Sequence, residues 1–216
     1  MRIPGLLLLA ALPLPAADSA PPATIQAFGY KWSVPFAEDW KIEKDNGGDV
    51  LVMLKARPPV APEPRRPTQF ALAEVPDYGR VRIEVDVKRH SDKEKSIILV
   101  YGWKDAAHFN YAHLSVDDPA KQPVHNGIFH VYGGDRVRIS PTTGGPGGLA
   151  DLAWHHVQLT YDAAAGEVRA LVDGKQSTAL RGIDLSTGAG RVGIGSFFET
   201  ASFKNFKLTG VPVLPK

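Results

Sequence analysis

The 216-residue chain has no cysteine, which removes disulfides, thiolate nucleophiles and Cys-ligated zinc from consideration. It also lacks a surplus of either charge: 25 Lys and Arg stand against 23 Asp and Glu, and the signs are interleaved. Phosphate backbones are held by clustered positive charge, so nucleic acid is a poor fit as partner. Long apolar runs are confined to the first segment, MRIPGLLLLAALPLPAADSAPPA. That segment has a cation at Arg2, an apolar stretch to Leu14 and small residues after it, and Pro13 and Pro15 interrupt it. A membrane helix needs about 20 apolar residues, so the pattern reads as a secretory signal. Residues 1–19 are expected to be removed and 20–216 to form a single secreted or periplasmic domain, with no membrane partner after signal removal. Without a lipid-bearing cysteine, a lipoprotein is excluded.

What the chain has in quantity is turn residues, 21 Gly and 18 Pro, between short alternating runs. The clearest run is 80–89, RVRIEVDVKR, with Val81, Ile83, Val85 and Val87 on one side and Arg82, Glu84, Asp86 and Lys88 on the other. Further strands are expected near 50–55, 96–103, 109–116, 127–132, 136–140, 155–162, 167–172, 191–198 and 202–208, with turns at 133–135, 162–166 and 173–175. No helix of ordinary length is expected. Ten or so strands with one apolar face each need a second layer, so the fold class is all-β, a two-sheet antiparallel β-sandwich of jelly-roll type. The Pro-rich stretch 57–68 and the Gly-rich stretch 141–151 read as surface loops of that domain.

The stretch WHHVQLTYD and the following EVRALVDGK, within 154–175, resemble the strand-turn-strand unit of laminin G-like and other concanavalin A-like sandwiches. The block VYGWKDAAHFNYAHLS, VDD and VHNGIFHVYGGDRVRI resembles the centre of the 3-keto-disaccharide hydrolase family, and VGIGSFFETASFKNFKL resembles its closing strands. The resemblance spans about residues 32–208 and implies a jelly roll, export and action on sugars. The Pro-rich insertion at 57–68 departs from that pattern, as does the lack of an unmistakable catalytic signature.

The chemistry is read from strand faces. In the strand near 109–116, Ala112, Leu114 and Val116 make the better core face, which leaves Phe109, Tyr111, His113 and Ser115 on the other. Turned to solvent, those side chains suit a sugar, which offers C–H faces for stacking and hydroxyls for hydrogen bonds. Four histidines, His108, His113, His125 and His130, fall within 108–130, together with Asp117, Asp118 and Asn126. Imidazoles exchange protons near neutral pH. His113 and His125 are therefore the candidate catalytic pair for hydrolysis of 3-keto-glycosides, and Tyr111, Trp103, Asp118 and Asn126 are the candidate substrate-binding residues. Trp103 shares its face with Tyr101 in a regular strand, so both also fit a core. No cofactor is expected; Asp117 and Asp118 offer oxygens to a calcium ion but equally make an ordinary turn.

A second constellation points elsewhere. Glu84 and Asp86 alternate on one strand face, resembling part of the carboxylate ladder of jelly-roll endo-glucanases. A retaining pair stands about 5 Å apart, which alternate residues roughly approach. Lys88 and Arg89 stand where a third carboxylate is needed, which favours a charge-balanced solvated face. The carbohydrate partner thus has two readings: a hydrolase, or a non-catalytic binding module of the same fold.

Overall fold

The computed structural model describes residues 22–93, 96–114, 125–142 and 147–213. The expected signal segment, Asp117 and Asp118 lie outside the described residues. Fifteen strands and one 3-10 turn (Ala37–Asp39) make up the regular structure of the described residues. One sheet has the order β1 (Ala23–Ala27), β2 (Tyr30–Val34), β5 (Gln69–Ala73), β14 (Arg191–Ser196), β7 (Ile97–Asp105), β8 (His108–Leu114), β9 (Asn126–Tyr132), β10 (Arg136–Arg138). The other has the order β13 (Lys175–Ile183), β12 (Glu167–Val172), β11 (His155–Asp162), β6 (Tyr78–Arg89), β15 (Ala201–Pro212), β4 (Gly48–Met53), β3 (Trp40–Asp45). Neighbouring strands are antiparallel throughout both sheets. This is the two-sheet jelly-roll sandwich anticipated above.

Period-two alternation builds the core between the sheets. Val81, Ile83, Val85 and Val87 of β6 all point inward, facing Ile97, Leu99, Ala112, Leu114 and Ile194 of the eight-stranded sheet. Trp32 closes one end against Phe206, with ring centroids 4.9 Å apart. Burying each such side chain contributes about 1.5–3 kcal/mol.

The eight-stranded sheet is buried on its second face as well. From Ile97 to Tyr101, β7 has no exposure on either side, and Ile98, Val100, Phe109, Tyr111, Phe129 and Val131 form a separate outer cluster. The proline-rich stretch is tied down beside this face. Arg57 pairs with the buried Asp39, the Thr68 hydroxyl donates to the Arg57 carbonyl at 2.9 Å, and Pro67 is buried. Farther along, the Arg65 amide donates to Asp135 at 2.7 Å and the Arg136 amide donates to the Arg65 carbonyl at 3.1 Å. The loop expected at 57–68 is thus a strap joined to the start of β10.

A bulge reorganises β7. Its registers with β8 and β14 slip around Gly102, whose φ is +59°. A Cβ there would also stand 2.9 Å from the Thr187 hydroxyl, so glycine is required twice over. Tyr101 keeps the inward phase of Ile97 and Leu99, and the slip that follows it turns Trp103 to the opposite side, against the outer cluster. Regular alternation would have placed both on one face.

A buried ion pair holds the loops at one end of the sandwich. Arg89 and Glu199 side chains are fully buried with Nη1 and Oε1 3.6 Å apart; Glu199 also accepts the Ser96 amide at 2.8 Å, and Arg89 donates to the Ser91 carbonyl at 2.8 Å. Arg89 also stands 3.6 Å from the exposed Asp92, so removing Glu199 takes away its buried counter-charge and the acceptor of the Ser96 amide together. Glu199→Ala is expected to lower unfolding free energy by about 3–5 kcal/mol in urea titration; a loss below about 1 kcal/mol would contradict this role.

Candidate functional site

The outer face of the eight-stranded sheet collects most of the chemistry-bearing residues anticipated above. β8 pairs with β7 so that His113 opposes Ile98 and Tyr111 opposes Val100. It pairs with β9 so that Tyr111 opposes Phe129 and His113 opposes Gly127. Tyr111 and Phe129 stack with centroids 5.4 Å apart, and the His113 ring meets Phe129 at 6.0 Å and Phe197 at 6.4 Å. Tyr111 and His113 lie on the side opposite Ala112 and Leu114, as anticipated, but their expected exposure is corrected: both are fully buried. The physical reason is the second layer. Ile98, Val100 and Phe129 make this face apolar, and an apolar sheet face must be covered.

Arg136 lies across this layer. Its guanidinium sits 4.8 Å from the Phe129 ring and 4.8 Å from the Phe197 ring. Its Nη1 donates to the Tyr111 hydroxyl at 3.2 Å and lies 3.4 Å from His113 Nδ1. β10 and β14 are four strand spacings apart, roughly 19 Å in a flat sheet. One side chain reaching both Phe129 and the segment after β14 therefore requires the sheet to curl around it. Arg138, on the same side of β10, donates to the carbonyls of Ser140 and Asn126.

These contacts set the protonation of the site. Burial, reinforced by Arg136, His125, Arg65 and Arg138, pushes the His113 imidazole well below its ordinary value of 6.5. It is neutral at neutral pH. Arginine has no lone pair to offer, so the Nδ1 facing Arg136 is the acceptor and the proton resides on Nε2. That Nε2–H is buried and has no hydrogen-bond partner. Burial also raises the Tyr111 phenol, to about 12, against the opposing pull of Arg136.

The other anticipated residues divide. His125 lies beside His113, with ring centroids 6.1 Å apart. Trp103 reaches the same face through the bulge, and Arg191 covers its ring at 4.1 Å. Asn126 is fully buried; it starts β9 two residues before the core residue Ile128, on the inter-sheet side. Asp118 lies outside the described residues. The four-histidine cluster is split. His108 and His130 stand at the far end of the hairpin, on either side of the exposed Tyr132, and His130 contacts Asp184 at 3.3 Å. Among the described residues, no group of three or more His, Asp or Glu is arranged to hold a metal ion.

Arg136, Phe129 and Phe197 are participants that strand-face reading of 109–116 alone misses. The signal available was the Arg-x-Arg alternation after the Gly133–Gly134 turn, which β9–β10 pairing places opposite Val131 and Phe129.

The Glu84–Asp86 constellation lies on the outer face of the seven-stranded sheet. Glu84 accepts from Arg82 at 2.8 Å, and that hydrogen bond holds its carboxyl below the usual range. Asp86 is held by His156 at 2.8 Å and Asn205 at 2.7 Å. A glycosidase general acid needs a raised pKa, and Glu84 is shifted the opposite way. His155 is buried between Asp151 and Asp173, at 3.0 and 2.8 Å, while His156 faces solvent.

No protein-family model and no curated protein sequence matches the chain. Among solved structures, it is similar to the carbohydrate-binding module CBM66 from Bacillus subtilis, with a TM-score of 0.56 at 14% identity, covering 83% of this chain and 95% of that one. It is also similar to domain 4 of AbnA, a GH43 extracellular arabinanase from Geobacillus stearothermophilus, solved with arabinotriose, with a TM-score of 0.42 at 12% identity, covering 77% and 76%. At these identities the likeness to the first establishes the sandwich fold.

A depressed histidine gives a signed pH dependence. The unfolded chain takes up the His113 proton below about pH 6.5, whereas the folded chain does not. Stability is therefore complete above that pH and falls as pH drops toward 5, at about 1.4 kcal/mol per unit for one proton. In His113→Gln, which retains every other titrating group, chemical denaturation at pH 5 to 7.5 should show this one-proton slope removed. An unchanged slope would refute the assignment.

Proposed function

We propose that this chain is a carbohydrate-binding sandwich that takes a sugar on the outer face of its eight-stranded sheet, beside His113. The observation that carries the reading is the unanswered Nε2–H of His113 within a wall of aromatic rings. A donor in that setting calls for an oxygen, and stacked rings supply the apolar surface that a pyranose or furanose C–H face seeks. The Tyr111 hydroxyl and the Arg136 guanidinium provide further polar groups within one side-chain length. Trp103 and His125 border the same face, Asp118 joins them on the sequence reading, and Asn126, turned to the inter-sheet side, supports the strand from behind. His113 and Tyr111 are buried, so a sugar reaches them only with a local opening of this face, and the 57–68 strap is tied beside it through the Asp135 carboxylate and the Arg136 amide. A secreted or periplasmic location is part of this proposal, supported by the cation-led apolar pattern of residues 1–19.

Binding is favoured over catalysis by the protonation of the site. A neutral imidazole whose Nδ1 faces an arginine carries no proton surplus to deliver to a leaving group. The 3-keto-glycoside hydrolase reading keeps one specific support, the 6.1 Å approach of the His113 and His125 rings, which would let one act as base and the other as acid.

Calorimetric titration with a panel of neutral oligosaccharides and 3-keto-glycosides separates these readings. Binding is expected, weakened about tenfold or more in His113→Gln and Tyr111→Phe, with no reducing sugar released. Release of sugar from 3-keto-glycosides, lost in His113→Ala while affinity is kept, would establish the hydrolase instead. No binding of any glycan would sink both.

A further inference from the structure

The outer face of the seven-stranded sheet carries a groove of about 810 Å³ that the reading above leaves unused. Strand register sets its floor. Thr209, Arg82, Thr160, Arg169 and Arg181 occupy successive strands β15, β6, β11, β12 and β13 in one continuous row. Three guanidinium groups therefore point from one row of an exposed face.

Their partners are unequal. Arg82 is answered by Glu84 at 2.8 Å and by Gln158, whose amide oxygen faces it. Among the described residues, Arg169 is answered by the Thr160 hydroxyl, at 3.3 Å. Arg181 directly opposes Arg169, and among the described residues no carboxylate lies within ion-pair distance of either. Like charges directly opposite across strands destabilise a sheet. Two adjacent guanidinium forks with spare donors are the geometry that carboxylates satisfy bidentately.

The rest of the groove narrows the class of anion. Asp162 and Glu167 stand in the neighbouring row, and Asp162 is already paired with Arg80 at 2.7 Å. Duplex nucleic acid presents a charge about every 1.7 Å along its axis and would meet these carboxylates with repulsion. The row also offers no exposed aromatic ring for base stacking. A chain with sparse carboxylates and many hydroxyls meets the arginines with the former and Thr160, Thr209 and Glu167 with the latter. We infer that the Arg169–Arg181 row of the seven-stranded sheet is a second binding surface, for an acidic polysaccharide of the uronate type. It is independent of the neutral-sugar site proposed around His113.

Affinity electrophoresis of the full chain in gels containing polygalacturonate, or its fully methyl-esterified form, tests this. Retardation is expected by the free acid and not by the ester. R169Q/R181Q is expected to weaken it at least about tenfold, Arg181→Lys to weaken it less, and His113→Gln to leave it unchanged. R169Q/R181Q relieves the like-charge pair and Arg181→Lys preserves it, and because both positions are exposed neither variant should lower the wild-type thermal transition. Equal retardation by ester and acid, undiminished retardation of R169Q/R181Q, or no retardation by polygalacturonate at low salt would overturn the proposal. So would equal or tighter binding of duplex DNA, which would reduce the surface to a generic polyanion patch.

Discussion

Arg136 is the contact on which the outer half of this molecule depends. A sandwich needs only its inner faces buried, and the seven-stranded sheet conforms, with Arg82, Lys88 and His156 in solvent. The eight-stranded sheet instead carries Ile98, Val100, Phe109 and Phe129 on its outer face, which water would leave exposed at considerable cost. Covering that face brings aromatic rings, an imidazole and a phenol together, and a guanidinium lying between two rings answers the polar atoms without leaving its own charge unsupported. The 57–68 strap adds backbone hydrogen bonds to the same point on β10.

The site's chemistry follows from that arrangement. Because arginine can only donate, its approach to Nδ1 selects the tautomer of His113 and directs the remaining N–H away from the arginine. Burial and the surrounding cations then keep the ring neutral. The result is a rigid hydrogen-bond donor in an aromatic setting, a group suited to holding an oxygen and poorly suited to shuttling protons. Charge on the opposite sheet is arranged differently, in exposed cross-strand rows, so the outer faces of the two sheets present different chemistry.

Much of this was legible in the chain. The alternation of 80–89 specified both the strand and its inward residues, and the phase of 109–116 correctly separated Ala112 and Leu114 from Tyr111 and His113. Exposure was not legible from that strand alone, because period two identifies opposite faces without saying what covers the second. The information lay next door: IILVY at 97–101 is an unbroken apolar run, the mark of a strand buried on both sides. The Gly102 bulge, which separates Tyr101 from Trp103, depends on contacts with Thr187 far along the chain and leaves no local trace beyond a glycine. Strands β1, β2, β3, β5 and β13 were also hidden. β3 reads WKIEKD and β13 reads KQSTALRGI, sheet-edge segments with too few apolar residues to show a clean alternation, and β5 is five residues long.

The central claim is that His113 is a buried neutral imidazole with its proton on Nε2, held so by Arg136. Nitrogen-15 NMR of the histidine side chains at pH 7 tests it most directly. The account predicts that His113 shows the Nε2–H tautomer, protected from solvent exchange and shifting toward the Nδ1–H or mixed form in Arg136→Leu. A ring that is doubly protonated at pH 7, or that already carries its proton on Nδ1 in the wild type, would contradict it.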